Sequence, residues 1–153
     1  MDRADFTATC WDRMKALYLA APDLQATCLS LQEDHDVDVV MALFLLLCDR
    51  AGLSPTDPGR QALAEAVEPW RARVVRPLRA VRQWQKAQDQ TEDEAALREQ
   101  VKALELRAER LQLARLCALF ETLDAVAPEG GAARAYLDEK GASETLARRF
   151  LGA

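Results

Sequence analysis

Residues 91–111 read TEDEAALREQVKALELRAERL, and they predict the longest helix of the chain. Thr91 and Glu94 fit a capping box, in which a Ser or Thr side chain and a Glu three residues later satisfy amide groups at a helix start. The apolar positions then alternate four- and three-residue steps, as in a coiled-coil seam, at Leu97, Val101, Leu104, Ala108 and Leu111. After Arg115 the stripe widens, so we expect the front half of the helix to pair with one helix and the back half to enter a core.

The expected partner of this helix is the segment of residues 70–87, which folds back through an acidic loop to give a long antiparallel helical hairpin. Each proline removes a backbone donor, which predicts a break near Pro69 and a kink or second break at Pro77. If the hairpin packs on itself, the leucine seam is internal. Otherwise the seam needs another chain, as a homodimer or a docked protein partner.

Helical spacing also organises the N-terminal part. It indicates a first helix over residues 5–19, and Pro22 suits the first turn of a second. Asp36, in the polar turn that follows, is the expected N-cap of an apolar helix that ends at Gly52. The apolar run of residues 37–48 is too short for a membrane span, which needs about 20 residues, so it predicts a buried helix.

Proline, glycine and capping residues mark the other boundaries. Asp57 is expected to cap the helix after the loop at 53–59, and Ser143 the last helix of the chain. No stretch shows period-two alternation, so no sheet is predicted. We therefore expect one all-α, bundle-like domain over residues 1–153, built from an N-terminal helical cluster (5–52), a helical hairpin (58–127) and short C-terminal helices (132–151).

The chain of 153 residues is acidic, with a net charge of −5 and a pI of about 5.0. Nucleic-acid binding needs phosphate neutralisation, so this charge disfavours a nucleic-acid partner. Residues 58–86 are the exception, with seven basic and two acidic side chains. The four cysteines lack the close spacing of a metal or redox pair, and the acidic, apolar-poor start at residues 1–5 leads us to expect no signal peptide. We expect a cytoplasmic protein with reduced thiols.

The basic segment supplies most of the candidate binding residues. Guanidinium groups bind carboxylate or phosphate in a forked geometry, and tryptophan can stack on a cation or a base. The candidates for binding a partner protein or an anionic small molecule are Trp70, Arg71, Arg76, Arg79 and Arg82, with Gln32 and His35 from the polar turn.

Helical geometry divides these arginines between two faces. In a continuous helix Arg71 and Arg82 share a half-apolar face, so we expect them to pair with Glu105 and Glu109 of the long helix. The other face is expected to be solvated and carries Arg76, Arg79, Gln83 and Lys86.

The polar turn is also a candidate site of chemistry. One imidazole with several carboxylates can hold a divalent metal ion, and the candidate ligands are His35, Asp38, Glu105 and Glu109. Carboxylate-bridged bundles use Glu-x-x-His motifs on two facing helices, however, and this chain has one histidine. In the other interpretation the acidic residues are caps and turn residues. We assign no catalytic residue, metal or cofactor from the sequence.

Three blocks of sequence carry specific motifs. The first contains Cys10-Trp11, Leu17-Tyr18 and Cys28-Leu29-x-Leu31-Gln32-x-x-His35; the second is Pro69-Trp70-Arg71-x-x-Val74-Val75-x-Pro77-Leu78-Arg79; the third covers residues 101–111. Together they resemble an uncharacterised family of small bacterial proteins, over residues 6–120. The resemblance implies a helical cytoplasmic protein with no assigned activity. The chain departs from the family pattern at Asp36 and Val40, where Gly and Asn are more frequent, so the resemblance implies no polar role at position 40.

Two functional hypotheses follow. The first is a non-enzymatic adaptor or regulatory protein that binds another protein through the hairpin and its basic face. The alternative is a small-molecule- or metal-dependent enzyme with a polar site around His35, Asp38, Glu105 and Glu109, in which Arg71 and Arg79 hold an anion.

Overall fold

Eight α-helices form most of the structure, a computed structural model that describes all of residues 1–153. The predicted all-α class is confirmed. The helices are α1 (Arg3–Ala20), α2 (Pro22–His35), α3 (Val39–Arg50), α4 (Asp57–Trp70), α5 (Arg76–Lys86), α6 (Glu92–Glu121), α7 (Ala132–Glu139) and α8 (Glu144–Leu151). No helix is long and apolar enough to cross a membrane.

One small strand pair departs from the expectation of no sheet. β1 (Ser54–Pro55) pairs antiparallel with β2 (Val126–Ala127), and Ser54 lies opposite Ala127. Strands of two residues are too short to show a period-two pattern in sequence. The pair joins the loop before α4 to the loop after α6.

The core is built around α3, in which eight of the twelve residues are buried because the helix is apolar around its circumference up to Cys48. Phe44 of α3 packs against Phe6 of α1 and Phe120 of α6, with ring centroids 6.0 and 5.4 Å away. The rings of Phe6 and Phe120 are themselves 5.7 Å apart. This aromatic triad fixes the back half of α6 in the core, as its widening apolar stripe predicts.

The helix caps follow the sequence in part. Thr91 caps α6 and Ser143 caps α8, as predicted. Asp36 is not the cap of α3: its backbone is left-handed, with φ of 52°, and it ends α2 instead. Asp38 caps α3 by accepting a hydrogen bond from the Met41 amide at 3.3 Å. The two aspartates flank Val37, and residue type alone does not distinguish them.

The N-cap of α4 is also one position away from the predicted one. Thr56 accepts the hydrogen bond from the Gly59 amide, and Asp57 is the first helical residue. There its side chain pairs with Arg60, with 2.6 Å between Asp57 Oδ1 and Arg60 Nη1. A carboxylate in the first turn is favoured by the helix dipole, so both residues stabilise the start of the helix.

The helix does not break at Pro69 or at Pro77, contrary to expectation. Pro69 lies inside α4 and Pro77 in the first turn of α5, and residues Arg71–Val75 between them form a π-helical segment closed by a hydrogen bond from Arg76 N to Arg71 O. Because the wider turn continues the helix, residues 57–86 form one uninterrupted helical rod. The extra residue in that turn rotates the side chains before it relative to the side chains after it, as an inserted residue would. This rotation sets the direction of Arg71.

The rod packs antiparallel to α6, which gives the predicted hairpin. Trp70 fixes their alignment by donating from Nε1 to the carbonyl oxygen of Ala108 at 2.9 Å. Of the predicted seam, Ala108 lies on the packed face, but the three leucines do not. The buried positions of α6 are Glu105, Ala108, Gln112, Leu113, Leu116 and Phe120, whereas Leu97, Leu104 and Leu111 are exposed.

Candidate functional site: a basic groove

A groove of about 730 Å³ lies between α2 and α5, and it collects most of the candidate binding residues. Its cationic and amide lining consists of Gln32, Arg71, Arg76, Arg79, Arg82, Gln83 and Lys86. Two acidic residues, Glu33 and Asp36, also line it. The lining carries five cations and two anions, and three carboxylates outside the lining, those of Glu68, Glu105 and Glu109, also pair with its arginines.

Arg71 is the buried member of the groove, with 3% of its surface exposed. Its Nη2 donates to the backbone oxygen and to Oδ1 of Asp36, both at 3.1 Å. Its Nε lies 3.9 Å from Asp38 Oδ2, and Nη1 lies 3.6 Å from Glu68 Oε2 without a hydrogen bond. The predicted pairing of Arg71 with Glu105 is therefore wrong, because the π-helical segment turns Arg71 toward α2 and α3.

Arg76 is held at the entrance by the same turn. Its Nη2 donates to both carboxylate oxygens of Asp36, at 2.8 and 2.7 Å, and its Nη1 lies 3.4 Å from Glu68. Burial alone would raise the pKa of Asp36, but Arg71 and Arg76 outweigh it and lower that pKa. The expectation that the Arg76 face is solvated is confirmed for Gln83 and Lys86, which are exposed, but it is wrong for Arg76, whose guanidinium is oriented by two carboxylates.

Arg79 and Arg82 meet the carboxylates of α6 at the inner wall. Glu105 accepts from Arg79 Nε at 3.0 Å and from Arg82 Nε at 2.5 Å, so the predicted pairing of Arg82 is confirmed. Arg79 Nη2 also lies 3.6 Å from Glu109 Oε1. Arg82 Nη2 also donates to Glu105 Oε1 at 3.3 Å, so carboxylates of α6 fix both side chains in direction. Nη1 of each arginine makes no hydrogen bond within the protein and remains to bind an anion.

Behind the groove lies a buried polar network that sequence reasoning missed. Asp38 Oδ2 accepts from Gln112 Nε2 at 2.6 Å, and the Asp38 amide donates to the hydroxyl of Tyr136 at 3.0 Å. Burial raises the pKa of Asp38, and Arg71 is the main opposing influence. The one hint in the sequence is Gln112, a polar residue one turn after Ala108 on the packed face of α6.

The metal candidates do not form one ligand set. Asp38 belongs to the network behind Arg71, Glu105 is bonded to two arginines, and His35 is half-buried at the end of α2. No group of three or more His, Cys, Asp and Glu side chains is placed to hold a metal ion. Trp70 lies outside the groove lining, where the Arg115 guanidinium stacks on its ring at 4.8 Å.

Glu109 makes stability pH-dependent. Burial raises its pKa from the ordinary 4.5 to about 7, with Arg79 opposing and Glu105 adding to the effect. A carboxyl group with a raised folded-state pKa favours the fold at low pH, and that contribution is lost as the pH rises from about 4.5 to about 7. Glu109→Gln lacks this carboxyl group, so its free energy of unfolding should fall less than that of wild type between pH 5 and pH 8. We expect the two falls to differ by on the order of 2 kcal/mol.

Urea unfolding of both proteins at pH 5 and pH 8 measures this difference. The matched control is Glu99→Gln on the exposed side of the same helix, which should leave the pH dependence of wild type unchanged. An equal pH dependence in wild type and Glu109→Gln would show that Glu109 keeps an ordinary pKa.

The fold and the groove together define an all-helical protein with an arginine-lined groove. A family described as a protein of unknown function (DUF2390) matches residues 9–116, and the chain belongs to this family. This confirms the resemblance to an uncharacterised family. No curated protein and no solved structure matches the chain significantly.

Proposed function

We propose that this protein is a non-enzymatic adaptor or regulatory protein whose basic groove binds an acidic segment of another protein. The observation that carries the proposal is the convergence of Arg71, Arg76, Arg79, Arg82 and Lys86 on one groove of an otherwise acidic chain. A groove of about 730 Å³ that is open to solvent suits a peptide segment.

The chemistry of the groove supports recognition. Guanidinium and ammonium groups keep their protons at neutral pH, and amides do not titrate, so these groups bind carboxylates without exchanging protons with them. The paired carboxylates of Asp36 and Glu105 hold Arg76, Arg79 and Arg82 in place before a ligand arrives. Such preorganisation reduces the conformational entropy that binding costs.

Two further features favour a peptide over a small anion. The apolar side chains of Leu29 and Ala80 lie among the charged residues of the lining, so the groove can also contact the aliphatic part of a peptide. Lys86 and Gln83 extend the basic surface along α5 beyond Arg79. An extended series of donors matches several carboxylates in a row better than it matches one.

A charge reversal at the rim tests the proposal. Lys86 has no ion pair in the structure, so Lys86→Glu alters the groove without breaking a contact within the protein. We expect Lys86→Glu to weaken binding of a fluorescent glutamate-rich peptide about fivefold to tenfold at low ionic strength. Fluorescence anisotropy measures the dissociation constant.

Arg73→Glu is the matched control, because Arg73 is exposed on the same rod, makes no ion pair and lies outside the groove. It changes the net charge by the same amount and should leave the affinity within about twofold. Equal losses in the two variants would mean that only the overall charge matters, and would contradict a groove site. Competition by inorganic phosphate as strong as that by the peptide would favour a small anion as ligand.

A further inference from the structure

Six of the ten exposed large apolar side chains of the protein lie on the two helices of the hairpin, and five of the six form one group. They are Val81 and Trp84 of α5 and Leu97, Leu104 and Leu111 of α6. Trp84 is 67% exposed and Leu104 is 51% exposed. The three leucines are spaced seven residues apart, which keeps them on one line along a helix that packs against another.

These five side chains share one face of the hairpin. Successive residues are about 100° apart around a helix, so Val81 and Trp84 lie about 140–160° from Arg79. By the same geometry the three leucines lie about 120–160° from Glu109. Arg82 and Glu105 contact each other between the two helices, and measured from them all five apolar residues are turned by about 80–160° in one rotational sense. In an antiparallel pair the same rotational sense leads to the same side, so the five share one side of the hairpin. Arg79, which lines the groove, is turned in the other sense, so this side faces away from the groove. We call this surface the apolar hairpin face.

We propose that the apolar hairpin face binds the same face of a second copy of this chain, with the two α6 helices antiparallel. If the two-fold axis passes beside Leu104, this residue contacts Leu104 of the second copy. Leu97 then contacts Leu111 of the second copy. Leu97 and Leu111 are each seven residues from Leu104, so all three leucine contacts form in the same alignment of the two helices. An isologous interface requires such self-complementarity.

The apolar residues of α5 are centred on the same axis. Arg82 contacts Glu105, so position 82 of α5 lies level with position 105 of α6. The midpoint between Val81 and Trp84 is therefore level with Leu104. The axis that pairs the leucines then places Val81 beside Trp84 of the second copy, and all five apolar residues are covered by one symmetry operation.

The charges on α6 favour the antiparallel direction. In this register Asp93 lies opposite Arg115 of the second copy, and Gln100 lies beside Arg107 of the second copy. A parallel pairing would place Arg107 on Arg107 and Arg115 on Arg115, and like charges directly opposite each other are destabilising. The basic groove stays open on the other side of each hairpin, so the dimer presents two grooves and does not depend on what they bind.

Light scattering coupled to size-exclusion chromatography tests the proposal through the mass of the wild-type particle. We expect twice the chain mass of 17.0 kDa, and we expect Leu104→Glu to elute as a monomer. Leu106→Glu is the matched control, since Leu106 is 55% exposed but lies about 200° around α6 from Leu104. It should remain a dimer. A monomeric wild type, or equal dissociation of both variants, would overturn the proposal, and circular dichroism checks that each variant is folded.

Cross-linking tests the position of the axis. A residue on a two-fold axis meets its own copy, so Leu104→Cys should form an intermolecular disulfide on mild oxidation in the dimer. Leu106→Cys and wild type are the controls, because the native cysteines are buried or half-buried. A disulfide-linked dimer of Leu104→Cys alone supports the register. Cross-linking of Leu106→Cys at the same rate, or of neither variant, would contradict it.

Discussion

Replacement of Arg71 with leucine is expected to destabilise the fold by about 3–5 kcal/mol. The Arg71 guanidinium is buried and lies 3.9 Å from the buried carboxylate of Asp38. Without Arg71 the Asp38 carboxylate has no cation beside it, and an uncompensated buried charge costs several kcal/mol. Urea unfolding at neutral pH, with the slope of the transition unchanged, measures the loss.

A double variant separates the charge from the packing. Asp38→Asn removes the charge and keeps an oxygen for the Met41 amide, and Gln112, whose buried amide oxygen has no partner, can turn to accept from the new NH2 group. Arg71→Leu with Asp38→Asn should therefore be more stable than Arg71→Leu alone. Arg73→Leu, at an exposed and unpaired position on the same π-helical segment, should cost no more than about 0.5 kcal/mol. A similarly small cost for Arg71→Leu would show that the guanidinium does not stabilise the buried network.

Truncation of Phe120 to alanine is expected to cost about 3–5 kcal/mol. The ring is fully buried and contacts both other members of the aromatic triad, Phe6 and Phe44. Removing it leaves a cavity where α1, α3 and α6 meet, and dense packing around the triad limits collapse of that cavity. The free energy of unfolding in urea gives the magnitude.

Leu106→Ala is a suitable control for the truncation, because Leu106 is an exposed apolar residue on the same helix. It should change the stability by no more than about 0.5 kcal/mol. If Phe120→Ala cost less than about 1 kcal/mol, the triad could not be the anchor of α6.

The sequence is sufficient to predict the long helices and the hairpin, since both depend on local features. The capping box at Thr91 and the apolar run before Gly52 each mark a helix by residue type and spacing. The π-helical segment has no such mark, because prolines at 69 and 77 are equally compatible with two breaks. The partners of Arg71 depend on that segment, so they could not be predicted.

For the candidate site too, the features that depend on local sequence could be predicted and those that depend on tertiary contacts could not. Arg76, Arg79, Gln83 and Lys86 share a helical face, and the groove lining contains all four. The carboxylates that orient the arginines come from the turn after α2, from α4 and from α6, so their assignment needs the tertiary fold. The leucine seam shows that a regular pattern can also mislead. Its seven-residue spacing predicts packing within the hairpin, but Leu97, Leu104 and Leu111 are exposed on the hairpin surface.

The most direct test of the groove as a protein-binding site is a titration of ¹⁵N-labelled protein with a glutamate-rich peptide, followed by NMR. We expect chemical-shift changes at Gln32, Gln83, Lys86 and the Nε groups of Arg76 and Arg79, and we expect these changes to become smaller as salt is added. The amides around Arg73 should not shift. Shift changes centred on another surface, or none at saturating peptide, would contradict the assignment of this groove.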